Sequence, residues 1–326
     1  MLHSFAYTGD AAVGAVLCQN LLAAGFEQQN DIAAADVVIA YCASQESHEE
    51  TYFGQDGLLS HLREGLFIIG MGACTPTTAR EISSLAQISD AHFVEAPLHA
   101  ADITVPDPFA DRDNLTALLA GQPDELAQVT GIIEAVAAHW EECGQSGAAQ
   151  AVKCALTAKR ALEIASMVES EALLRLAVDE SGELQTRAFL ESQQGTQENI
   201  SAWYQGIRAD NYASTYTIEI LASELTCALA WAEEQGLVLP QTETAAYLVR
   251  LLATVGGIEL SPLALTLAYR DEASGERFGL DWHRAEGVQT LSDTDDNDDD
   301  EMDDREGWGW TSDEELGIEE DSPLGR

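Results

Sequence analysis

A parallel-sheet α/β domain followed by an all-helical domain is the architecture that the residue pattern predicts, on three observations. Through residues 1–147, short apolar runs alternate with stretches of helical periodicity, the rhythm of βαβ units. From residue 148 to about 288 the periodicity is helical throughout. Beyond that the composition breaks, because Ser292 to Arg326 carries 16 acidic and 2 basic residues, including the run Asp298-Asp299-Asp300-Glu301. Such a segment buries too little apolar surface to fold alone. The expected boundaries are therefore 1–147, 148–288 and a disordered acidic tail over 289–326.

In order along the chain, Phe5-Ala6-Tyr7 reads as the first strand and leads into Gly9. Val13, Val16, Leu17, Leu21 and Leu22 then recur at helical spacing, and Gly25 closes that helix. Asp36 to Ala40 and Leu66 to Ile69 are the next runs of strand length, separated by the turn-rich Phe53-Gly54-Gln55-Asp56-Gly57 and a short helix from Leu58 to Leu62. Pro76 opens a helix through Leu85, since proline in the first turn forfeits no helical hydrogen bond. In the second half Val152, Leu156, Leu162, Ala165, Val168, Ala172 and Leu176 keep a three- to four-residue period, broken only once, between Leu156 and Leu162, over roughly seven turns. Two further helical patterns cover Tyr216 to Gly236 and Thr242 to Val255.

Charge excludes whole classes of partner. The 326 residues hold 57 Asp+Glu against 15 Lys+Arg, a formal net charge of −42, and Lys153 and Lys159 are the only lysines. The chain without its tail is still at −28. A surface of that sign repels phosphate backbones and anionic headgroups, so neither nucleic acid nor a membrane surface is an expected partner. No run approaches the roughly 18 unbroken apolar residues of a spanning helix, and the N-terminus lacks the cationic region of a secretion signal, so a cytoplasmic protein is expected. The six cysteines form no C-x-x-C pair; they suggest neither a disulfide framework nor a metal site, and read as small buried hydrophobes. In the tail, Asp293, Asp295 and Asn297 take positions 1, 3 and 5 of a calcium loop, but Asp298 stands for the glycine of position 6 and Asp304 for the bidentate glutamate of position 12. The tail therefore reads as a solvated segment, with Trp308 and Trp310 as a short docking motif.

The turn Gly9-Asp10-Ala11-Ala12-Val13-Gly14 after the first strand is where a dinucleotide pyrophosphate would meet a helix N-terminus, although Ala11 replaces the middle glycine of that motif. Collinear segments follow: Gln19 to Gly25, Ala35 to Ile39, Phe53 to Leu59, Met71 to Pro76, Phe93 to Leu98, Leu115 to Gly121, and Gly144-Gln145-Ser146-Gly147-Ala148-Ala149-Gln150-Ala151-Val152-Lys153. In this order, over residues 1–250, the chain resembles the β-hydroxyacid dehydrogenase family, the 3-hydroxyisobutyrate dehydrogenase-like group within the 6-phosphogluconate dehydrogenase superfamily. The resemblance implies a Rossmann-like N-terminal domain, a helical domain for substrate and dimerisation, and NAD or NADP as cofactor. It further implies a small β-hydroxy acid or semialdehyde as substrate, and a homodimer.

Carried over residue by residue, the resemblance makes Lys153 the general acid/base of hydride transfer. Thr157, at i+4 on the same helix face, stands where the family has asparagine. His99-Ala100-Ala101 replaces the family's Ser-Gly-Gly, which puts His99 and Ala100 at the substrate, with His99 partly cationic near neutral pH and able to clamp a carboxylate. The cofactor side is assigned Gly9, Asp10, Ala11, Ala12, Val13, Gly14, Cys42 and Glu224, the last from Ser223-Glu224-Leu225 matching the family's Lys-Asp-Leu.

The largest departure lies between Gly25 and Ala35, too short for the family's second strand, ribose-reading residue and following helix. That strand and helix are expected to be missing, and dinucleotide binding to be weakened. Two readings follow: an NAD(P)-dependent oxidoreductase using Lys153, and a non-catalytic descendant that serves as a scaffold or ligand-binding protein.

Overall fold

The computed structural model describes residues 2–176 and 200–285. β1 (Ser4–Gly9), β3 (Val37–Tyr41), β4 (Phe67–Gly70) and β5 (His92–Glu95) run parallel, with Tyr7 opposite Ile39, Val38 opposite Ile68 and Ile69 opposite Val94. β6 (Leu98–Ala100) and β7 (Leu115–Ala120) pair antiparallel, and β8 (His139–Gly144) lies parallel to β7. With β2 (Glu27–Gln28) at one end, the strand order is β2-β1-β3-β4-β5-β7-β6, with β8 on β7.

Strand sequences such as Val37-Val38-Ile39-Ala40-Tyr41 are apolar throughout because both faces of the sheet are covered. Val37, Ile39 and Tyr41 share a core with Val13, Leu17 and Leu21 of α1 (Ala11–Ala23) and Val129 and Ile133 of α4 (Pro123–Val136). Val38 and Ala40 face the other way, toward Tyr52 of α2 (Gln45–Phe53) and Ala79, Ile82 and Ala86 of α3 (Pro76–Ile88).

The helical half comprises α5 (Ala148–Leu176), α6 (Ile200–Arg208), α7 (Ile218–Glu234), α8 (Pro240–Leu252) and the short α9 (Glu272–Glu276). α5 has 29 residues, about 44 Å at 1.5 Å per residue. Its Ile164, Met167 and Val168 join the same core as Phe5 and Ile39, together with Tyr204, Tyr216 and Leu263, so the sheet and the helices share one apolar interior.

The second strand is not missing, which corrects the sequence expectation. β2 survives as Glu27–Gln28, parallel to β1 with Ser4 opposite Glu27 and Phe5 opposite Gln28. The helix expected to be lost is reduced to one 3-10 turn, Ile32–Ala34, capped by Asp31 accepting from the Ala33 N–H at 2.9 Å. The interval is long enough for a strand to pair over two residues and no further. The last helical pattern ends earlier than its periodicity suggests: α8 stops at Leu252 and a π segment follows, in which Gly256 has φ 110°. β8 gave no sequence signal because its residues are mostly exposed and polar. No helix among the described residues is long and apolar enough to cross a membrane, and no group of three or more His, Cys, Asp or Glu there is arranged to hold a metal. The tail, with its calcium-loop spacing and its tryptophans, lies outside the described residues.

Candidate active site

α5 begins where Gly144 and Gly147, at φ 116° and 91°, turn the chain out of β8. The first N–H groups of a helix have no intrahelical acceptor. Here Glu95, fully buried at the end of β5, accepts from the Gly147 and Gln150 N–H groups and from Ser146 Oγ at 2.8 Å. Burial pushes the Glu95 carboxyl up, against the pull of these donors. Gln150 in turn donates to the Gly72 carbonyl and accepts from the Cys74 N–H, each at 3.1 Å. The start of α5 is thus tied to the carboxyl ends of β4 and β5, and Lys153 follows about one turn later.

Lys153 points into the protein, its side chain 4% exposed. Nζ lies 2.6 Å from Glu224 Oε1 on α7 and donates to the Leu98 carbonyl at 3.0 Å. Glu224 Oε2 accepts from Thr157 Oγ1 at 3.0 Å and from the Tyr216 hydroxyl at 2.8 Å. A buried ion pair is tolerated when its remaining lone pairs are satisfied in this way. Burial lowers the Lys153 pKa from its ordinary value, and the adjacent Glu224 carboxylate opposes that shift. An ammonium has three donors, and two are engaged here.

Arg160 extends the cluster. Its Nη2 donates to His99 Nε2 at 3.1 Å and to the Ala100 carbonyl, and its guanidinium carbon lies 5.7 Å from the centroid of the Tyr216 ring. His99 is not partly cationic as the sequence suggested. Burial, reinforced by the charges of Arg160 and Lys153, pushes its pKa down to about 2, so the imidazole is neutral and Nε2 is the acceptor. Ala100 is buried on β6 and contributes its carbonyl.

Of the residues expected at the substrate and catalytic positions, Lys153, Thr157, His99 and Ala100 come together here. Glu224, expected on the cofactor side, sits in the same cluster as the partner of Lys153. Arg160 and Tyr216 were missed. Lys153, Thr157 and Arg160 stand at i, i+4 and i+7, so the helical period carried the signal for Arg160; Tyr216 arrives from a separate stretch of chain and left none.

Between α2 and α7, Gln45 Nε2 donates to Ser223 Oγ at 2.8 Å and lies 3.0 Å from Cys227 Sγ. Cys42 is buried just past β3, opposite Gly72, and burial raises its thiol pKa. All six cysteines are free thiols.

The glycine turn lies at the carboxyl end of β1. Gly9 has φ 115°, and a Cβ there would sit 2.0 Å from the Tyr41 carbonyl oxygen; a Cβ on Gly14 would sit 2.2 Å from the Tyr7 ring. Asp10 caps α1 by accepting from the Val13 N–H at 2.8 Å, and the Tyr7 hydroxyl donates to the Asp10 carbonyl at 2.6 Å. Ala11 and Ala12 are exposed above buried Val13 and Gly14, presenting the first turn of α1 to solvent. This turn fits a dinucleotide diphosphate: backbone donors and the positive helix end face outward at the carboxyl edge of a parallel sheet. Asp10 and the Ala11 methyl reduce the quality of that fit, and the two-residue β2 shortens the ribose side.

Doubly wound sheets bind dinucleotides in the crevice at the carboxyl ends of their strands, the edge at which this glycine turn lies. Residues 10–154 match the family described as the NAD binding domain of 6-phosphogluconate dehydrogenase. The NAD-dependent L-serine dehydrogenase of Pseudomonas aeruginosa is 22% identical over 293 residues, covering 79% of this chain and 95% of that protein. The 3-hydroxyisobutyrate dehydrogenase of Mycobacterium tuberculosis, solved with L-serine, superposes with a TM-score of 0.65 at 18% identity, over 83% of this chain and all of that one (100%). A chain solved in complex with NADP+ gives a TM-score of 0.67 at 17% identity, over 82% of this chain and 100% of the other. These structural likenesses bear on the fold. Residues 10–154 thus match an NAD binding domain, the chain as a whole is similar to β-hydroxyacid dehydrogenases, and the cofactor class these matches support is NAD or NADP.

Proposed function

We propose that the chain interconverts a small β-hydroxy acid and its carbonyl form, with Lys153 as general acid/base. The observation that carries this reading is the buried Lys153 ammonium, held by Glu224 and Leu98 with one donor unengaged. In reduction, that donor delivers a proton to the developing alkoxide; in oxidation, the neutral amine formed more readily in a buried setting accepts the hydroxyl proton. The turn from Gly9 to Gly14 would hold the dinucleotide through its diphosphate, and the bound dinucleotide would supply or accept the hydride. Glu224 keeps the lysine aimed, while Thr157 and Tyr216 keep Glu224 aimed. His99 and Ala100 border the substrate side.

The reading includes weakened dinucleotide binding, since each lost charge-assisted hydrogen bond costs on the order of 1.5–3 kcal/mol. It also includes division of the chain into bodies at 1–147 and 148–288, a cytoplasmic setting, and a homodimer through the helical part. Exposed Leu173 and Leu176 on α5 and Tyr247 on α8 favour the dimer. The two-residue β2 favours a second reading, a non-catalytic descendant that keeps the scaffold to bind a ligand.

Calorimetric titration with NADH and with NADPH, beside turnover on a panel of short hydroxy acids and semialdehydes, separates the two. Binding of either dinucleotide, with turnover that falls at least a hundredfold in Lys153→Ala, supports the dehydrogenase. No binding at millimolar concentration leaves the scaffold reading.

A further inference from the structure

Arg160 is 6% exposed, and among the described residues no carboxylate pairs with it. A buried charge held only by neutral acceptors is poorly compensated. Glu224 does not pair with it: its Oε1 meets Lys153, and its Oε2 accepts from Thr157 and Tyr216. With Lys153 protonated, the cluster holds two positive charges and one negative. An excess of one positive charge persists in the interior of a chain whose net charge is −42.

The geometry supplies a ruler. β6 stands at the end of the strand order, and its Leu98 and Ala100 carbonyls accept from Lys153 and Arg160 respectively. Carbonyls two residues apart on one strand point the same way, about 7 Å apart. The two cations are therefore held side by side along one strand edge. A carboxylate on one and a hydroxyl on the other, each at a hydrogen bond of about 2.8 Å, are the ends of one short molecule. His99 adds a donor: with Nε2 accepting from Arg160, the ring proton is on Nδ1, and no described residue accepts from it.

We propose that Arg160, with the Nδ1–H of His99, receives the carboxylate of a short hydroxy monocarboxylate whose hydroxyl lies at Lys153, and thereby sets substrate specificity. This rests on the dehydrogenase reading for the hydroxyl but not for the carboxylate. The excess of one charge selects a monocarboxylate over a dicarboxylate, and the spacing selects short acids. Arg160 also covers a strand-edge carbonyl, a structural role that any test must separate from binding.

The test is calorimetric titration of the full chain with 3-hydroxypropanoate, its neutral amide 3-hydroxypropanamide, and the dicarboxylate hydroxymalonate, on wild type, Arg160→Met and Arg160→Lys. Melting temperatures are recorded in parallel. The expected result is wild-type preference for the acid over the amide by at least tenfold, hydroxymalonate binding no tighter than the monoacid, loss of the acid preference in Arg160→Met, and partial retention in Arg160→Lys. Equal binding of acid and amide by wild type overturns the proposal without reference to any variant's folding. So does an Arg160→Met variant that loses acid and amide binding alike, or tighter binding of hydroxymalonate. Turnover with NAD+ is read separately. Acid selectivity without turnover sinks the dehydrogenase reading and leaves Arg160 as an anion site; turnover with a KM unchanged in Arg160→Met does the reverse.

Discussion

Lys153 and Glu224 form a pair whose energetics are set by what surrounds them. Burial disfavours the ammonium while the carboxylate 2.6 Å away favours it. Glu224→Gln removes the favourable influence and leaves burial, so the Lys153 pKa falls further, and the corresponding limb of the pH–rate profile moves to lower pH. An unmoved limb would mean that Glu224 does not govern the lysine. The same shift is a linkage statement. Because the folded pKa is depressed, the unfolded chain holds more protons between that value and the ordinary lysine range. Stability therefore rises with pH across that window and is lost as pH falls through the folded pKa. Lys153→Met flattens that rise in urea melts recorded at a series of pH values. At Gly9 the constraint is steric: alanine meets the Tyr41 carbonyl and is held at positive φ. Gly9→Ala should cost on the order of 1–3 kcal/mol of unfolding free energy by denaturant titration.

At the scale of elements, α5 is the member that carries Lys153, Thr157 and Arg160, and its placement depends on a residue outside it. Glu95 on β5 accepts from Ser146, Gly147 and Gln150 together. Glu95→Ala leaves those donors unpaired in a buried setting, at about 1–3 kcal/mol. The expected outcome is a lower urea midpoint with kcat reduced more than KM, because the helix start that positions Lys153 loosens while Arg160, two turns further on, is still anchored on Ala100. A variant with full kcat would show that the first turn of α5 is held by other contacts. β2 is the converse case, since two residues pair with β1 and the chain then turns away. The ribose side of the cofactor site is where the element-level architecture departs furthest from the pattern that the sequence resembles.

The whole molecule adds a long-range field. A net charge of −42 surrounds the edge proposed for an anionic dinucleotide, and Glu219, whose carboxyl is raised by burial and then by the neighbouring charges of Asp10 and Glu259, brings that field to the glycine turn. Screening shortens from about 30 Å at 0.01 M salt to about 8 Å at 0.15 M. NADH affinity, followed by nicotinamide fluorescence, should therefore tighten several-fold over that range. Weakening with salt would mean that local cations dominate the site.

Residue order and periodicity determined a great deal here: the alternation of strands and helices, the glycine turn, the long helix from Ala148, and Lys153 and Thr157 on one face of it. Those features are local, fixed by backbone sterics and by repeats of two and 3.6 residues. What the sequence left open is all non-local. That Glu224 turns to Lys153, that Tyr216 completes its hydrogen bonds, that His99 is neutral and that Arg160 is a buried cation with no carboxylate partner among the described residues all depend on which distant segments share a low-dielectric interior. Packing alone decides that, since desolvation and Coulomb energy depend on spatial neighbours and not on separation along the chain.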